Sequence, residues 1–353
     1  MAAEVMDTLK RSPSLRPWLL ALVGALVLIA IAWTVFWQLA VRQTTLSLDA
    51  WITREKAFNR NWSCPDRQVT GFPFKIAIAC GKPHFDGMIF GQHYAGSLNG
   101  FVATARLSNP SEVTVKVASP FAVVSDDKTV DINLAWKDLN VRLGGLPRNV
   151  AKVSIAGEGF SLQGHAHAFG LLAGRARHVT ATFAPDAARQ DHALHFHVIL
   201  KDASMPAIDS ILRTTAPADS VADGDITQAS LDPGRSLTTT LDKWRAAGGH
   251  IELTSFLVNR GETSLQAHGA LTLDSAHRLD GQLDTRCVGF EPVLRRLGVD
   301  PGLIAAGSLL ASLLGGGDET QKGPHPLRLR VKFDSGRLSI GPVRTSIRLP
   351  PLY

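Results

Sequence analysis

The sequence predicts a mainly β protein, in which an N-terminal transmembrane helix precedes a curved antiparallel β-sheet domain with a few covering helices. Residues 18–40 contain no charged side chain. A helix rises about 1.5 Å per residue, so this run can cross the roughly 30 Å hydrocarbon layer of a bilayer. Much of the remaining chain alternates apolar and polar residues with a period of two, which is typical of antiparallel strands with one dry and one wet face.

Basic residues flank the apolar run unequally. Lys10, Arg11 and Arg16 precede it, whereas Arg42 is the only close basic residue behind it. This bias predicts a cytoplasmic N-terminus, a single pass through the inner membrane and a C-terminal domain in the periplasm. A cleaved signal peptide is the alternative, but its apolar region is about 7–15 residues long. The run is longer than that and no clear small-x-small cleavage site closes it, so we expect an uncleaved signal anchor.

Composition favours a folded domain beside a membrane. The net charge is +6, and charged residues make up 19% of the chain. A moderately basic protein of this kind suits an anionic membrane surface. No compact Lys/Arg block interleaved with aromatic residues is present, and such a block is the usual sign of a nucleic-acid-binding protein. We therefore predict no nucleic acid among its partners.

Three cysteines bear on the compartment. Cys64 and Cys80 flank a short segment, and Cys287 stands far along the chain. In an oxidising compartment, a disulfide between Cys64 and Cys80 would close a small loop. Pairing of Cys64 with Cys287 and three separate buried thiols are the alternatives at this stage.

The rest of the chain follows in order. Residues 46–60 show the apolar and charged spacing of an amphipathic helix leaving the membrane. Strand patterns follow, and a phase slip after Trp136 predicts a bulge or turn. The predicted organisation is a cytoplasmic tail at 1–17, the anchor at 18–40, a connecting helix at 41–63, a β-rich half at 64–201, a linker or surface excursion at 202–235, and a second β-rich half at 236–353.

Few helices are predicted beyond the anchor, at residues 207–214, 237–247, 290–297 and 301–314. The last of these is apolar nearly all round and too short to cross a bilayer. We expect it either to be buried against the sheet or to plug a lipid-binding groove or touch the membrane.

Two His-x-His pairs are candidate metal ligands: His165 with His167, and His195 with His197. Side chains two residues apart on a strand share a face, so each pair can present two imidazoles to one ion. The alternative is that these histidines are ordinary polar residues on the wet face of two strands. No Asp or Glu at a matching spacing stands out as a supporting partner.

Arg328, Arg330 and Lys332 form a basic stripe on a predicted strand. It can contact anionic lipid headgroups or a partner, or it can simply keep an edge strand soluble. The sequence contains no Gly-x-Ser-x-Gly elbow, Walker-type loop or His-Glu-x-x-His helix. We therefore predict a non-catalytic protein and no cofactor.

Three segments together carry a family resemblance: Gly71-Phe72-Pro73-Phe74-Lys75 followed by Cys80, residues 271–288, and the tail at 336–342 and 349–352. With the anchor, the chain resembles the family called domain of unknown function 2125, uncharacterised alphaproteobacterial membrane-anchored proteins that offer no catalytic residues to transfer. A looser resemblance to AsmA-like envelope proteins rests on residues 265–273 and 281–283. It implies a role in lipid movement across the periplasm.

These observations predict a non-catalytic periplasmic envelope protein, anchored in the inner membrane, that binds lipid acyl chains along an apolar sheet face. The expected partners are the inner membrane, a phospholipid or another envelope lipid, and envelope proteins. The alternatives are a scaffold or partner-binding subunit of a membrane complex, which would use the basic stripe, and a metal-dependent envelope enzyme, which would use the histidine pairs.

Overall fold

The computed structural model describes residues 15–89, 91–146, 150–166, 170–212, 214–229, 237–290, 294–295, 302 and 326–353. Several predicted features lie mostly or wholly outside these residues: most of the cytoplasmic tail, His167, most of the helix predicted at 290–297 and nearly all of the helix predicted at 301–314.

The first element is a single long helix, α1, at Leu15–Ala57. Its apolar part has a mean hydropathy of 2.7 with no residue of that window buried, so α1 is a candidate membrane anchor. The connecting helix expected to reach residue 63 ends earlier. Asn59 adopts the left-handed conformation (φ 56°), which commonly terminates helices. Residues 60–63 then form a strand.

Eighteen strands form one sheet within the described part of the chain. In chain order they are β1 Arg60–Ser63, β2 Gln68–Thr70, β3 Lys75–Cys80, β4 His84–Ile89, β5 Gln92–Arg106, β6 Asn109–Ser125, β7 Val130–Ala135, β8 Asp138–Gly144, β9 Lys152–Ala166, β10 Gly170–Pro185, β11 Leu194–Ala203, β12 Ala218–Ile226, β13 Ile251–Arg260, β14 Thr263–Leu273, β15 Leu279–Val288, β16 Leu327–Asp334, β17 Arg337–Ile340 and β18 Val343–Arg348. Two short helices accompany them: α2 at Pro206–Leu212 and α3 at Leu237–Ala246, close to the predicted positions.

Every strand pairing is antiparallel, and most join strands that are consecutive in the sequence. From β9 to β18 each strand pairs with the next one. Strands β7 and β8 both lie between β6 and β9, so the phase slip after Trp136 marks the break between two strands laid end to end. Strand β12 pairs with both β11 and β13, so residues 202–235 contain a strand of the same sheet as well as α2.

The distal part of α1 is attached to the N-terminal strands. Trp51 contacts Trp62 of β1, whose ring lies 4.7 Å from that of Phe85 in β4. Asp49 accepts a 2.6 Å bond from Arg67. Aromatic packing and an ion pair attach the helix at several points, so the distal part of α1 packs against the edge of the sheet.

The disulfide predicted between Cys64 and Cys80 is present, with 5.8 Å between the two Cα atoms. It ties the segment after β1 to the end of β3. Cys287 is buried in the main apolar cluster, which brings together residues of β15, β16 and β17 with Leu294. The alternative pairing of Cys64 with Cys287 does not occur.

Candidate functional site

Strand register divides the sheet into two chemically different faces. Cross-strand partners in an antiparallel sheet lie on the same face, and adjacent residues on a strand lie on opposite faces. Phe183 of β10 is opposite Val153 of β9 and Phe196 of β11, whereas its neighbour Thr182 is opposite polar partners. The alternation in the sequence is therefore in phase between neighbouring strands.

The apolar face continues across most of the sheet. Its members come from β3, β5, β6 and every strand from β8 to β17, and register links each to the next. They include Ile78, Phe101, Val115, Val141, Ile155, Val179, Phe183, Phe196, Val198, Phe256, Val258, Leu265, Leu283, Leu329, Val331 and Leu338.

Burial along this face is uneven. At its C-terminal end Cys287, Leu294, Leu327 and Ile340 form the packed cluster and are each at most 6% exposed. In the central strands, from β8 to β13, the large apolar side chains of this face are only half-buried. A well-packed interior leaves such side chains almost no solvent contact. The central part of the face is therefore a partly solvent-exposed apolar surface in the part of the chain that the structure describes.

Neither short helix covers that surface. Helix α3 contains no buried residue, and Trp244 attaches it to the end of β12 through a 2.7 Å bond from Nε1 to the Thr227 carbonyl. Helix α2 is held at the edge of the domain, where Asp209 pairs with the buried Arg260. Helix α3 is thus attached at the end of β12, and α2 is attached to the last residue of β13.

The opposite face carries ladders of charged and polar side chains. His195 Nδ1 lies 3.2 Å from Asp225 Oδ1, and His197 Nδ1 lies 3.0 Å from Asp223 Oδ2. These aspartates are the direct cross-strand partners of the two histidines. The expectation that no acidic residue matches the histidine spacing is therefore wrong. The overlooked signal is Asp223-Gly-Asp225, which repeats the spacing of two on the next strand.

The structure does not bring His165 near His195 and His197. His165 is opposite Leu171 in β10, whereas His195 is opposite Ala184 in the same strand. Thirteen residues of β-strand correspond to roughly 40 Å, which is far beyond the span of one metal ion. His165 Nε2 instead contacts the Lys128 carbonyl at 2.9 Å. Among the described residues, no three His, Cys, Asp or Glu side chains are arranged to hold a metal.

A further polar network closes one end of this face. Arg189 pairs with Asp191 and Glu252, and His250 Nε2 lies 2.9 Å from Glu252 Oε1. Hydrogen bonds from Arg189 and His250 lower the pKa of Glu252. The carbonyl of Gly248, followed by Glu252, raises the pKa of His250. Each charged side chain of this network therefore has a partner of opposite charge or a hydrogen-bond partner within it.

The basic stripe lies on the polar face. Arg330 Nε donates to Asp284 Oδ1 at 3.1 Å, and Lys332 lies 3.6 Å from Asp334. Arg328 is opposite Arg286. Arg328, Arg330 and Arg286 line a cavity of about 700 Å³ together with His268, Gln266 and Asp284, whereas Lys332 does not. Contact of the stripe with an anionic group stays a prediction.

Comparison with protein families places the chain. The family described as "Uncharacterized protein conserved in bacteria (DUF2125)" matches residues 37–347. The chain belongs to this family. The match to the DUF2125 model covers the distal part of α1 and all eighteen strands except the last residue of β18, so it includes both sheet faces. No curated protein and no solved structure matched the chain, so the resemblance to AsmA-like proteins stays a prediction.

Proposed function

We propose that this DUF2125 protein is a single-pass inner-membrane protein whose periplasmic sheet domain holds lipid acyl chains along its apolar face. The observation that carries the proposal is the half-buried apolar surface of the central strands. Apolar area in contact with water costs about 25 cal/mol per Å². A continuous strip of it on a folded domain is favourable only where a ligand, a partner or a further segment covers it.

The proposed compartment is supported by two independent features. Basic residues are concentrated before the apolar part of α1, which favours a cytoplasmic N-terminus. The Cys64–Cys80 disulfide lies on the other side of that segment, and structural disulfides persist in oxidising compartments such as the periplasm. The proposal assigns the protein a binding role and requires no catalytic residue or cofactor.

Site-specific photocrosslinking in the intact cell tests lipid binding directly. The full chain carries the photoreactive residue p-benzoylphenylalanine at Phe183, on the central apolar face, or at Thr182, its neighbour on the opposite face. Both positions lie on the same strand, so the two variants carry the photoreactive group at the same level of the sheet but on opposite faces. We expect phospholipid adducts at position 183, detected by mass spectrometry of the purified protein, and at least tenfold fewer at position 182.

Two outcomes would contradict the proposal. Equal lipid labelling at 182 and 183 would show that crosslinking reports nearby membrane rather than a binding face. Adducts at 183 that consist only of peptides from residues 303–325 would show that the chain's own apolar segment covers the face.

A scaffold role is the second candidate, favoured by one specific observation. Arg286 and Arg328 are cross-strand neighbours with no ion-pair partner among the described residues, and both line the cavity on the polar face. Like charges placed opposite each other are destabilising unless an anionic group lies between them. Substituting Arg328 by Gln tests this role. We expect the loss of any protein partner recovered by crosslinking at Lys332, with lipid labelling at Phe183 unchanged.

A further inference from the structure

The turn between β2 and β3, residues 71–74, packs against the apolar part of α1. Trp33 Nε1 donates to the Pro73 carbonyl at 2.9 Å, and Trp37 Nε1 donates to the Lys75 carbonyl at 3.1 Å. The Trp37 ring meets Phe72 edge-on at 5.4 Å. These contacts satisfy both indole N–H groups and fix the level of the turn along the helix.

The turn nevertheless leaves its apolar tips uncovered. Phe72 is 53% exposed and Phe74 is 71% exposed, even though the rings of both contact α1. Phe36, beside them on the helix, is 51% exposed. Three large aromatic side chains therefore project outward together at one level of the molecule.

That level coincides with the end of the apolar part of α1. Twenty helical residues cover about 30 Å, so a span that begins at Trp18 ends near Trp37. Trp and Tyr are enriched where a transmembrane helix meets the headgroup region. Phe72 and Phe74 lie beside this position, since their rings contact Trp37 and Trp33 respectively.

Basic residues lie immediately beyond the aromatic level. Lys75 follows Phe74, its Cα partner across the strands is Arg106, and Arg42 is five residues beyond Trp37. None of the three has an ion-pair partner in the described ranges. Basic side chains near an anionic membrane surface each contribute about 1 kcal/mol of attraction. Exposed aromatic rings followed by basic side chains match the change from hydrocarbon to charged headgroups at a bilayer surface.

We infer that the turn at residues 71–74 is a second membrane contact: Phe72 and Phe74 enter the outer boundary of the bilayer beside α1, and Arg42, Lys75 and Arg106 contact anionic headgroups. This contact orients the sheet so that β3, where the apolar face begins, lies next to the membrane. It does not depend on whether that face binds lipid.

Depth-dependent fluorescence quenching tests the inference on the full chain. Phe74→Cys, labelled with an environment-sensitive fluorophore, is reconstituted into vesicles of phosphatidylethanolamine and phosphatidylglycerol. The native disulfide is kept oxidised, and Cys287 is buried at 4% exposure, so the label goes to the introduced cysteine. We expect a blue-shifted emission and at least threefold stronger quenching by a nitroxide lipid with a shallow spin label than in a control labelled at Leu171→Cys.

The Leu171→Cys control also replaces an exposed apolar side chain, but at a different position in the molecule. Leu171 is 80% exposed and apolar, but it lies at the start of β10, away from α1. Ser108→Cys on the neighbouring β5–β6 turn is a second reporter that leaves both phenylalanines intact, since Leu107 N bonds to the Phe74 carbonyl at 3.0 Å. Its label should be quenched by a headgroup-attached nitroxide. Quenching at residues 74 and 108 no stronger than at 171 would overturn the inference.

Discussion

A single charge on the apolar face should strongly weaken lipid binding while leaving the fold intact. Val179 lies in the centre of β10, opposite Gly157 and Leu200, and is half-buried. The next residue, Thr180, points to the opposite face and is exposed. Val179→Asp and Thr180→Asp therefore introduce the same charge one residue apart, on opposite faces of one strand.

The size of the effect follows from the geometry. An aspartate keeps its hydration shell, so an acyl chain lying across position 179 loses the contact of about three to four methylene groups. At about 0.8 kcal/mol per buried methylene, this costs about 3 kcal/mol. Every 1.4 kcal/mol is tenfold in affinity, so lipid affinity should fall about a hundredfold. An apolar face that is mostly occupied by lipid in the wild type should be mostly unoccupied in the Val179→Asp variant.

The assay is the yield of phospholipid adducts from p-benzoylphenylalanine at Phe183. That position lies on the same face of the same strand, about 13 Å from residue 179. We expect the Val179→Asp variant to lose most of its adducts and Thr180→Asp to retain them. Thermal unfolding followed by circular dichroism controls for folding. If the two variants unfold alike and crosslink alike, the apolar face is not where lipid binds.

Three further predictions concern stability and pH. Removing the disulfide with Cys64→Ser and Cys80→Ser should lower the free energy of unfolding by about 3 kcal/mol, because the bond closes a loop with a sequence separation of 16; denaturant titration measures this. His250 has a raised pKa, so its stabilising contribution is complete below its unfolded pKa of about 6.5 and is lost as pH rises through its folded pKa. Between pH 6 and pH 9, the melting temperature of the wild type should therefore fall more than that of the His250→Gln variant. Gly164→Ala should destabilise the domain by about 1–3 kcal/mol, because Gly164 has φ 146° and a Cβ there would collide with a neighbouring strand, whereas Gly174→Ala has room and should be near neutral in the same titration.

The sequence predicted the fold because strand alternation is a local property. Leu194, Phe196 and Val198 alternate with His195 and His197, and register then places each set on a separate face. The same reasoning located the break near Trp136, whose indole now donates to the Val117 carbonyl at 2.8 Å. The end of α1 was placed less accurately, because helical periodicity continues past Ala57 until the left-handed residue at 59 interrupts it.

The candidate functional elements were harder to predict because they depend on contacts between distant segments. Nothing near His195 in the sequence shows that Asp225 is its partner, since strand pairing alone brings them within 3.2 Å. The aromatic turn is recognisable in the sequence as a motif. Its position beside the candidate membrane anchor is seen only in the structure, where Phe74 contacts Trp33, which lies 41 residues earlier on α1. Both the His195–Asp225 pair and the aromatic turn therefore depend on which segments pair with each other, and not on the pattern within one segment.

The length of the strands supports the proposal that the apolar face binds a ligand. Strands β5, β6, β9 and β10 contain 15–17 residues and span about 50 Å. Helices α2 and α3, with 7 and 10 residues, are only about 10 and 15 Å long. A sheet with one dry face needs a second layer of comparable extent. Apart from α1, whose apolar part is a candidate membrane anchor, no helix of that length accompanies the sheet domain in the described ranges. Acyl chains are long, apolar and adaptable, and α1, as a candidate membrane anchor, would place the sheet beside a membrane that supplies them.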